Sequence, residues 1–327
     1  MTVECNSSAT LEISNLSIEF PGRTGPRRVV ERMSLTVAPG EIVAIIGESG
    51  SGKTLTALSV LGLLPRQARI RSGSILLKGH PLIGLTAQER RSILGNRIAF
   101  IPQDALRALN PTLIVADQVG EPFVLHRGTA WAAARCLAVE LLRSVHLRDP
   151  EQRAKEYPHQ YSGGMQQRAM VAMGLALEPE LLIADEPTTA LDVTVQAQVL
   201  ALLREVREEH GTAILFITHD LGLVADFCDR VYVMYAGRVV EEGPVEEIFV
   251  RPRHPYTYAL LSATPSVGER TPELLAIPGQ IPQPHELPEG CAFAPRCVRA
   301  EARCSVDPLF DTGGAHRTRC WFPERRS

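Results

Sequence analysis

The apolar residues of this chain fall into two repeating patterns, which predict strands and helices. Residues 11–20 and 33–37 alternate between apolar and polar side chains, as expected for strands with one buried face. Three short runs are apolar throughout, which is typical of strands buried on both faces: Ile42–Ile46, 181–184 and Ala213–Ile217. Further strands are expected at 75–77 and Ile98–Ile101, with a hairpin at 231–240.

Helical patterns lie between these strands. Residues 130–145 carry apolar side chains every three or four positions, and so do residues 195–206, after which Gly211 is a suitable stop. The whole of 112–178 is expected to be mostly helical. Because buried strands alternate with helices, we expect an α/β fold with a parallel sheet and an inserted helical subdomain at about residues 104–178.

Proline marks a boundary near residue 250. Residues 251–327 hold 11 of the 24 prolines, and such a stretch cannot maintain long helices or central strands. We therefore expect a packed domain over residues 1–250 and an irregular C-terminal extension over 251–327. The extension also holds four of the seven cysteines.

Composition and charge exclude several classes of protein. With 45% hydrophobic and 22% charged residues, the chain is neither fibrous nor wholly disordered. A net charge of −3 argues against a dedicated nucleic-acid binder. The longest nearly apolar run, 55–64, is about half of the roughly twenty residues that a membrane span needs. The N-terminal residues lack the pattern of a secretory signal, so we expect a cytoplasmic protein without a disulfide framework.

The first chemical motif follows the buried strand Ile42–Ile46. Its sequence, GESGSGKT, fits the phosphate-binding pattern G-x-x-x-x-G-K-[ST]. Glycines let backbone N–H groups turn toward phosphate oxygens, the lysine reaches the β- and γ-phosphates, and the final hydroxyl coordinates Mg²⁺. The following helix directs its N-terminus at the same charge. The candidate nucleotide-binding residues are Gly47, Glu48, Ser49, Gly50, Ser51, Gly52, Lys53 and Thr54.

Two carboxylates end the buried strand at 181–184. Asp185 is placed to complete the coordination of Mg²⁺, and Glu186 to polarise the water that attacks the γ-phosphate in line. Together the two motifs indicate a P-loop NTPase. A GTPase is the first alternative, although the sequence lacks the guanine-reading motif N-K-x-D, and a small-molecule kinase is the second.

A third motif, YSGGMQQR at residues 161–168, precedes the acidic strand. It resembles the LSGGQ signature of ABC ATPases, with Tyr in place of Leu and Met in place of Gln, and the order of motifs over residues 10–250 resembles that family as well. The resemblance implies an ATP and Mg²⁺ site with further members. The signature residues are Ser162, Gly163, Gly164 and Met165, and Phe20 is expected to stack on adenine. Gln103 of a Q-loop is expected at Mg²⁺ with Thr54 and Asp185, Asp192 belongs to a D-loop at 190–192, and His219 is a switch histidine.

The same resemblance implies a mechanism. ATP on the P-loop of one subunit meets the signature of a second subunit, and hydrolysis separates the two. Glu186 is the general base, His219 contacts the γ-phosphate, and Gln103 reports the nucleotide state to a partner. All of these positions are filled, so we expect an active ATPase. With one P-loop and one signature, the chain needs a second ATPase chain to complete a site.

Two segments of the extension narrow the family. HPYT at 254–257 and GCAFAPRC at 290–297 resemble the end of the ATP-binding subunits of dipeptide, oligopeptide and nickel ABC importers. The resemblance implies uptake of peptides or related small solutes, nickel included. It also implies two membrane permease subunits, a second ATPase and, indirectly, an extracytoplasmic binding protein as partners, without nucleic acid. The chain would lie peripherally on the cytoplasmic face of the membrane.

Two rival functions remain open at this point. One is a non-transport ABC protein of translation or DNA repair, which usually has two cassettes or a long coiled coil. The sequence has neither a second P-loop nor a sustained heptad pattern. The other is the ATPase of an exporter, against which the two segments of the extension argue.

Four cysteines of the extension are candidate metal ligands: Cys291, Cys297, Cys304 and Cys320. Four thiolates complete the coordination of a [4Fe–4S] cluster and also that of Zn²⁺. The spacings match neither the C-x₂-C zinc pattern nor the ferredoxin run, and small buried cysteines without metal are a third alternative. His316 is a candidate to replace one ligand. The importer resemblance implies a [4Fe–4S] cluster, whose binding would order a segment with little apolar core.

Overall fold

The computed structural model describes residues 9–22, 25–104, 108–189, 191–263, 277–283, 286–311 and 314–324. No helix within these ranges is long and apolar enough to cross a membrane. In chain order the helices and strands are β1 (Leu11–Phe20), β2 (Arg27–Val37), β3 (Ile42–Ile46), α1 (Lys53–Leu61), β4 (Arg69–Leu77), β5 (His80–Pro81), α2 (Ala87–Ile93), β6 (Ile98–Ile101), α3 (Val115–Arg127), α4 (Trp131–Ser144), α5 (Pro150–Arg153), α6 (Gly163–Leu175), β7 (Leu181–Asp185), α7 (Val193–His210), β8 (Ala213–Ile217), α8 (Leu221–Phe227), β9 (Arg230–Tyr235), β10 (Arg238–Pro244), α9 (Val245–Val250), α10 (Pro255–Ser262) and β11 (Arg317–Thr318). Three 3₁₀ segments lie at Pro158–Gln160, Ala294–Arg296 and Ala302–Ser305.

These elements form two compact units. The first contains Val37–Glu41, Pro81–Phe216 and the described residues up to Thr10. The second contains Leu11–Thr36, Ile42–His80 and the chain from Ile217 onward. The residues beyond 250 therefore belong to the second unit, and the expected domain boundary at 250 stays a prediction.

The first unit contains three strands in the order β8–β7–β6, with β6 parallel to β7. Every residue of β7 and β8 is buried, as their apolar sequences predict. Helices α3, α4 and α6 pack against one another and bury residues such as Val119, Ala138 and Val171. The mostly helical region expected at 112–178 is confirmed, as several helices separated by loops.

The second unit contains strands from two sheets. One group has the order β11–β10–β9–β3, in which β3 is parallel to β9 and the other neighbours are antiparallel. The other sheet has the order β2–β1–β4–β5. The fully buried β3 and the β9–β10 hairpin confirm the sequence predictions at those positions.

The C-terminal extension over residues 251–327, called the C-terminal segment from here on, is less irregular than its prolines predict. It contributes helix α10 and strand β11. Strand β11 pairs with β10, where Thr318 lies opposite Glu241. The Glu241 carboxylate has no exposed surface. It accepts the backbone N–H groups of Arg253 at 2.6 Å and His254 at 2.9 Å, and it lies 2.7 Å from His316 Nε2. A buried carboxylate requires such partners, so Glu241 holds two distant parts of the segment against β10.

Strand β4 offers a test of the packing against β1. Gly73 has φ +100°, and a Cβ there would lie 2.5 Å from the Cα of Leu16. We expect Gly73→Ala to lower the free energy of unfolding by about 2–4 kcal/mol, because strain at positive φ adds to the displacement of β1. The change in urea-induced unfolding measures this loss.

Gly79→Ala is the matched control. Gly79 also has a positive φ, +79°, but no described atom lies within 4 Å of its added Cβ. This variant should lose only the strain energy, about 1–2 kcal/mol. Equal losses in the two variants would contradict the close approach of β1 and β4.

Candidate nucleotide-binding site

The phosphate loop joins β3 to α1 in the second unit. Its shape requires glycine at the first position, because Gly47 has φ +147° and an added Cβ would lie 2.1 Å from the carbonyl oxygen of Met234. Gly52, at the N-cap of α1, has φ +103°. The loop therefore turns sharply out of a fully buried strand and into a helix, which leaves the N-terminus of α1 directed at the loop.

The loop lysine is buried. Lys53 Nζ donates to the carbonyl oxygens of Gly47 at 2.7 Å and Glu48 at 3.0 Å, and only 6% of the residue is exposed. Thr54 is exposed, so its hydroxyl is accessible. The arrangement provides a cation and a hydroxyl beside backbone N–H groups, which is the chemistry that a nucleotide phosphate with Mg²⁺ requires.

Two candidate residues meet in the first unit. Because β6 and β7 are parallel neighbours, the residues that follow them lie at the same end. Gln103 Nε2 donates to Glu186 Oε2 at 2.9 Å, and Thr189 Oγ1 donates to the same oxygen at 3.0 Å. Asp185 ends β7 and is 3% exposed. Glu186 has φ +49°, a conformation that costs about 1–3 kcal/mol in a non-glycine residue and occurs preferentially at functional sites.

The signature residues surround the start of α6. Ser162 is the exposed N-cap, and its Oγ accepts the N–H of Met165 at 3.3 Å. Gly163 and Gly164 form the first turn and are partly exposed. The start of a 13-residue helix is therefore accessible, with its backbone N–H groups and its dipole able to face an anion.

The remaining candidates lie at the ends of other strands. His219 follows β8 and is exposed in the second unit. Phe20 ends β1 and is half-buried beside a surface cleft that Pro21 and Arg69 also line. In the D-loop, Asp192 is described and Ala190 lies outside the described residues. The candidates thus divide between the units: Gln103, Asp185, Glu186, the signature and Asp192 in the first, and the phosphate loop, His219, Phe20 and the four cysteines in the second.

Comparisons with known proteins agree with this set of motifs. The sequence model of the ABC transporter family matches residues 30–189, and that of the oligopeptide/dipeptide transporter C-terminal region matches residues 240–304. A putative peptide import ATP-binding protein of Brucella abortus is 46% identical over 98% of this chain and 97% of its own length. The chain belongs to the ABC transporter family of ATP-binding proteins. A second putative peptide import ATP-binding protein, from Brucella melitensis, is 47% identical over 95% of this chain and 96% of its own length.

Solved structures show the same fold as this ABC ATPase. The dimeric ATP-binding cassette MJ0796, bound to ADP and Pi after hydrolysis, has a TM-score of 0.65 and 27% identity, covering 72% of this chain and 98% of its own. The protein cbiO1 of Clostridium perfringens, part of the ABC transporter complex cbiONQ, has a TM-score of 0.63 and 27% identity, covering 74% and 91%. The α/β fold of an ABC ATPase is thereby confirmed.

The four cysteines of the ABC ATPase line one cavity. Its empty space, including the part open to solvent, is about 330 Å³, and its other walls include His254, Phe293 and Trp321. Burial raises the pKa of three of these thiols, that of Cys320 to about 11. Within the described ranges, no three His, Cys, Asp or Glu side chains are grouped closely enough to hold a metal ion.

Two histidines of the C-terminal segment have different surroundings. His316 bonds Glu241, so the arrangement does not favour it as a replacement ligand. His254 is buried, and its Nδ1 accepts the N–H of Tyr256 at 3.0 Å, which places its proton on Nε2. Nε2 has no hydrogen-bond partner among the described residues. Burial lowers the pKa of His254 to about 4, so the ring is neutral.

Sequence reasoning missed the surroundings of Glu48. Its backbone and its carboxylate contact Tyr256 and Arg296, both from the C-terminal segment. The signal in the sequence was an acidic residue inside a loop that binds an anion, which favours a nearby cation without indicating which residue supplies it.

The D-loop aspartate provides a test of local structure. Asp192 Oδ1 accepts the N–H of Val195 at 3.0 Å and so caps α7. We expect Asp192→Ala to lower the free energy of unfolding by about 1 kcal/mol, while Asp192→Asn keeps most of the stability because Asn is an equally good cap. Urea unfolding of both variants measures the difference, and an Asn variant as unstable as the Ala variant would contradict the cap.

Proposed function

We propose that this ABC ATPase is the ATP-hydrolysing subunit of an importer of peptides or related small solutes, nickel included. The similarity over nearly the whole chain to putative peptide import ATP-binding proteins carries the proposal. The match of the C-terminal segment to the oligopeptide/dipeptide transporter region supports it independently of the ATPase motifs.

The ATP site is assigned to the candidate residues as follows. The loop at Gly47–Thr54, which includes Lys53, holds the phosphates, and Phe20 stacks on adenine. Thr54, Gln103 and Asp185 hold Mg²⁺, which neutralises charge on the phosphate oxygens when bound. Hydroxyl, amide and carboxylate oxygens are ligands that Mg²⁺ accepts, so the donor set fits the ion.

Glu186 is assigned as the general base. It takes a proton from the attacking water as the oxygen of that water bonds the γ-phosphorus and the bond from that phosphorus to the β–γ bridging oxygen breaks. The hydrogen bonds from Gln103 and Thr189 support this role, because they hold one carboxylate oxygen and so orient the other. His219 contacts the γ-phosphate and holds the attacking geometry.

A second ATPase chain would complete the site. The accessible start of α6 supports this arrangement, since Ser162, Gly163 and Gly164 can donate to a phosphate held by another subunit. Asp192 and Met165 lie beside that contact in the proposed dimer. Two membrane permeases would hold the pair at the cytoplasmic face of the membrane, and an extracytoplasmic binding protein would deliver the solute.

The importer proposal predicts a coupled loss on Glu186→Gln. With the chain assembled with its permeases in proteoliposomes, we expect ATP hydrolysis to fall by about 10²–10⁴-fold, the usual contribution of a general base. Bound ATP should be retained, and ATP-driven peptide uptake should stop. Glu209→Gln, a change of the same kind at an exposed position of α7, is the control.

Two outcomes would overturn parts of this proposal. Hydrolysis by Glu186→Gln at nearly the wild-type rate would remove Glu186 as the base. ATP-driven movement of peptide away from the ATPase side would replace the importer with an exporter, and association with ribosomes or DNA instead of membranes would favour the non-transport alternative.

The four cysteines are proposed to hold a [4Fe–4S] cluster. Their position around one cavity supports it, and so does the buried Nε2–H of His254, which lines the same cavity without a partner.

Metal analysis tests this assignment. In chain purified without oxygen we expect about four iron and four sulfide per chain, no zinc, and loss of both on Cys297→Ser. Cys136→Ser, at an exposed cysteine on α4, is the control and should keep the full content. Stoichiometric zinc would replace the cluster with a zinc site, and metal content unchanged by Cys297→Ser would end the proposal.

A further inference from the structure

Glu48 is the single acidic residue of the phosphate loop, and each of its polar groups is held. Its N–H donates to Tyr256 Oη at 3.0 Å, and its carbonyl oxygen accepts Lys53 Nζ at 3.0 Å. Its carboxylate oxygens accept Arg296 at 2.8 and 3.1 Å. Two of these three contacts come from the C-terminal segment, more than 200 positions away in the sequence.

The Arg296 side chain is held by contacts other than the one with Glu48. It is 9% exposed, and it donates to the carbonyl oxygens of Pro278 at 2.8 Å and Gly279 at 3.2 Å. Its bond with Glu48 is the main cause that raises its pKa. A guanidinium held in this way pairs with both oxygens of a carboxylate in one geometry, which makes the contact both strong and directional.

Tyr256 is equally constrained. It is fully buried, and its ring lies 4.7 Å from that of Tyr235 and 5.4 Å from that of Phe293, measured between ring centroids. This tilted aromatic packing, together with complete burial, holds the ring in a defined position. Its hydroxyl oxygen is thus a rigid acceptor for the N–H of Glu48.

We propose that Arg296 and Tyr256 are positioning residues of the ATP site, which set the conformation and the charge of the phosphate loop. Tyr256 turns the Glu48 N–H out of the phosphate cradle and so fixes the direction in which the loop leaves β3. Arg296 cancels the charge of Glu48, which would otherwise repel the phosphates. The C-terminal segment therefore contributes to the affinity for nucleotide, whatever solute is transported and whether or not the cysteines bind metal.

A thermodynamic cycle between positions 48 and 296 tests this proposal. ADP with Mg²⁺ serves as the probe, because it is not hydrolysed, and its Kd is measured by calorimetry on the full chain. We expect Arg296→Gln to raise the Kd at least about tenfold, since it leaves the partly buried Glu48 carboxylate, whose side chain is 26% exposed, without its cation beside the phosphates. In the Glu48→Gln background the same change should raise the Kd less than about threefold, because no charge then needs cancelling.

Two further variants separate positioning from folding. Arg317→Gln removes another arginine of the same segment, one that pairs with Glu242 of β10, and should leave the Kd unchanged. Tyr256→Phe keeps the ring packing and should raise the Kd about two- to fivefold through loss of one hydrogen bond. The melting temperature of each variant is recorded in parallel.

Three results would overturn the proposal. One is a wild-type Kd in Arg296→Gln, and another is an equal effect of that change with and without Glu48. If Arg296→Gln does not fold, Tyr256→Phe decides, and a wild-type Kd in that variant would show that the segment does not act on the loop.

Discussion

Burial of charge between strand β10, the phosphate loop and the C-terminal segment is the constraint on which the second unit depends. Glu241 is completely buried, and its carboxylate contacts Arg253, His254 and His316, all from beyond residue 250. Arg238 bridges Glu31 on one side and Asp307 of the segment on the other. Left unpaired, the buried Glu241 and Arg238 would carry a large cost of desolvation. The segment is thus held by buried polar contacts in addition to the apolar packing of Tyr256 and Phe293 against Tyr235.

The kind of contact that holds each element explains how much of the structure could be predicted from the sequence. The buried strands β3, β7 and β8 and the helices α4 and α7 were predictable, because apolar periodicity encodes them directly. The contact of Gln103 with Glu186 was not predicted, because it depends on β6 and β7 being parallel neighbours, and the apolar pattern does not specify strand order. Apolar patterns located the strands, and the motifs identified the candidate residues that follow them.

The contacts of the C-terminal segment could not be predicted in the same way. Its prolines correctly argued against long helices, but its contacts depend on pairs such as Arg296 with Glu48, 248 positions apart. No periodicity relates two such positions, and a short motif identifies each residue without indicating its partner. The left-handed backbone of Glu186 was likewise hidden, because it depends on what surrounds the end of β7 rather than on the residue type.

The contact between Glu48 and Arg296 also bears on how such chains diversify. A glutamate in a loop that must hold phosphate is a liability unless an arginine is supplied from elsewhere, so neither residue is advantageous alone. Positions 48 and 296 are therefore expected to be inherited and lost together. A relative that sheds the segment after the hairpin would be under pressure to replace the acid with a neutral residue. The core ATPase and its C-terminal segment are then joined by a salt bridge, so no single position along the chain separates the two.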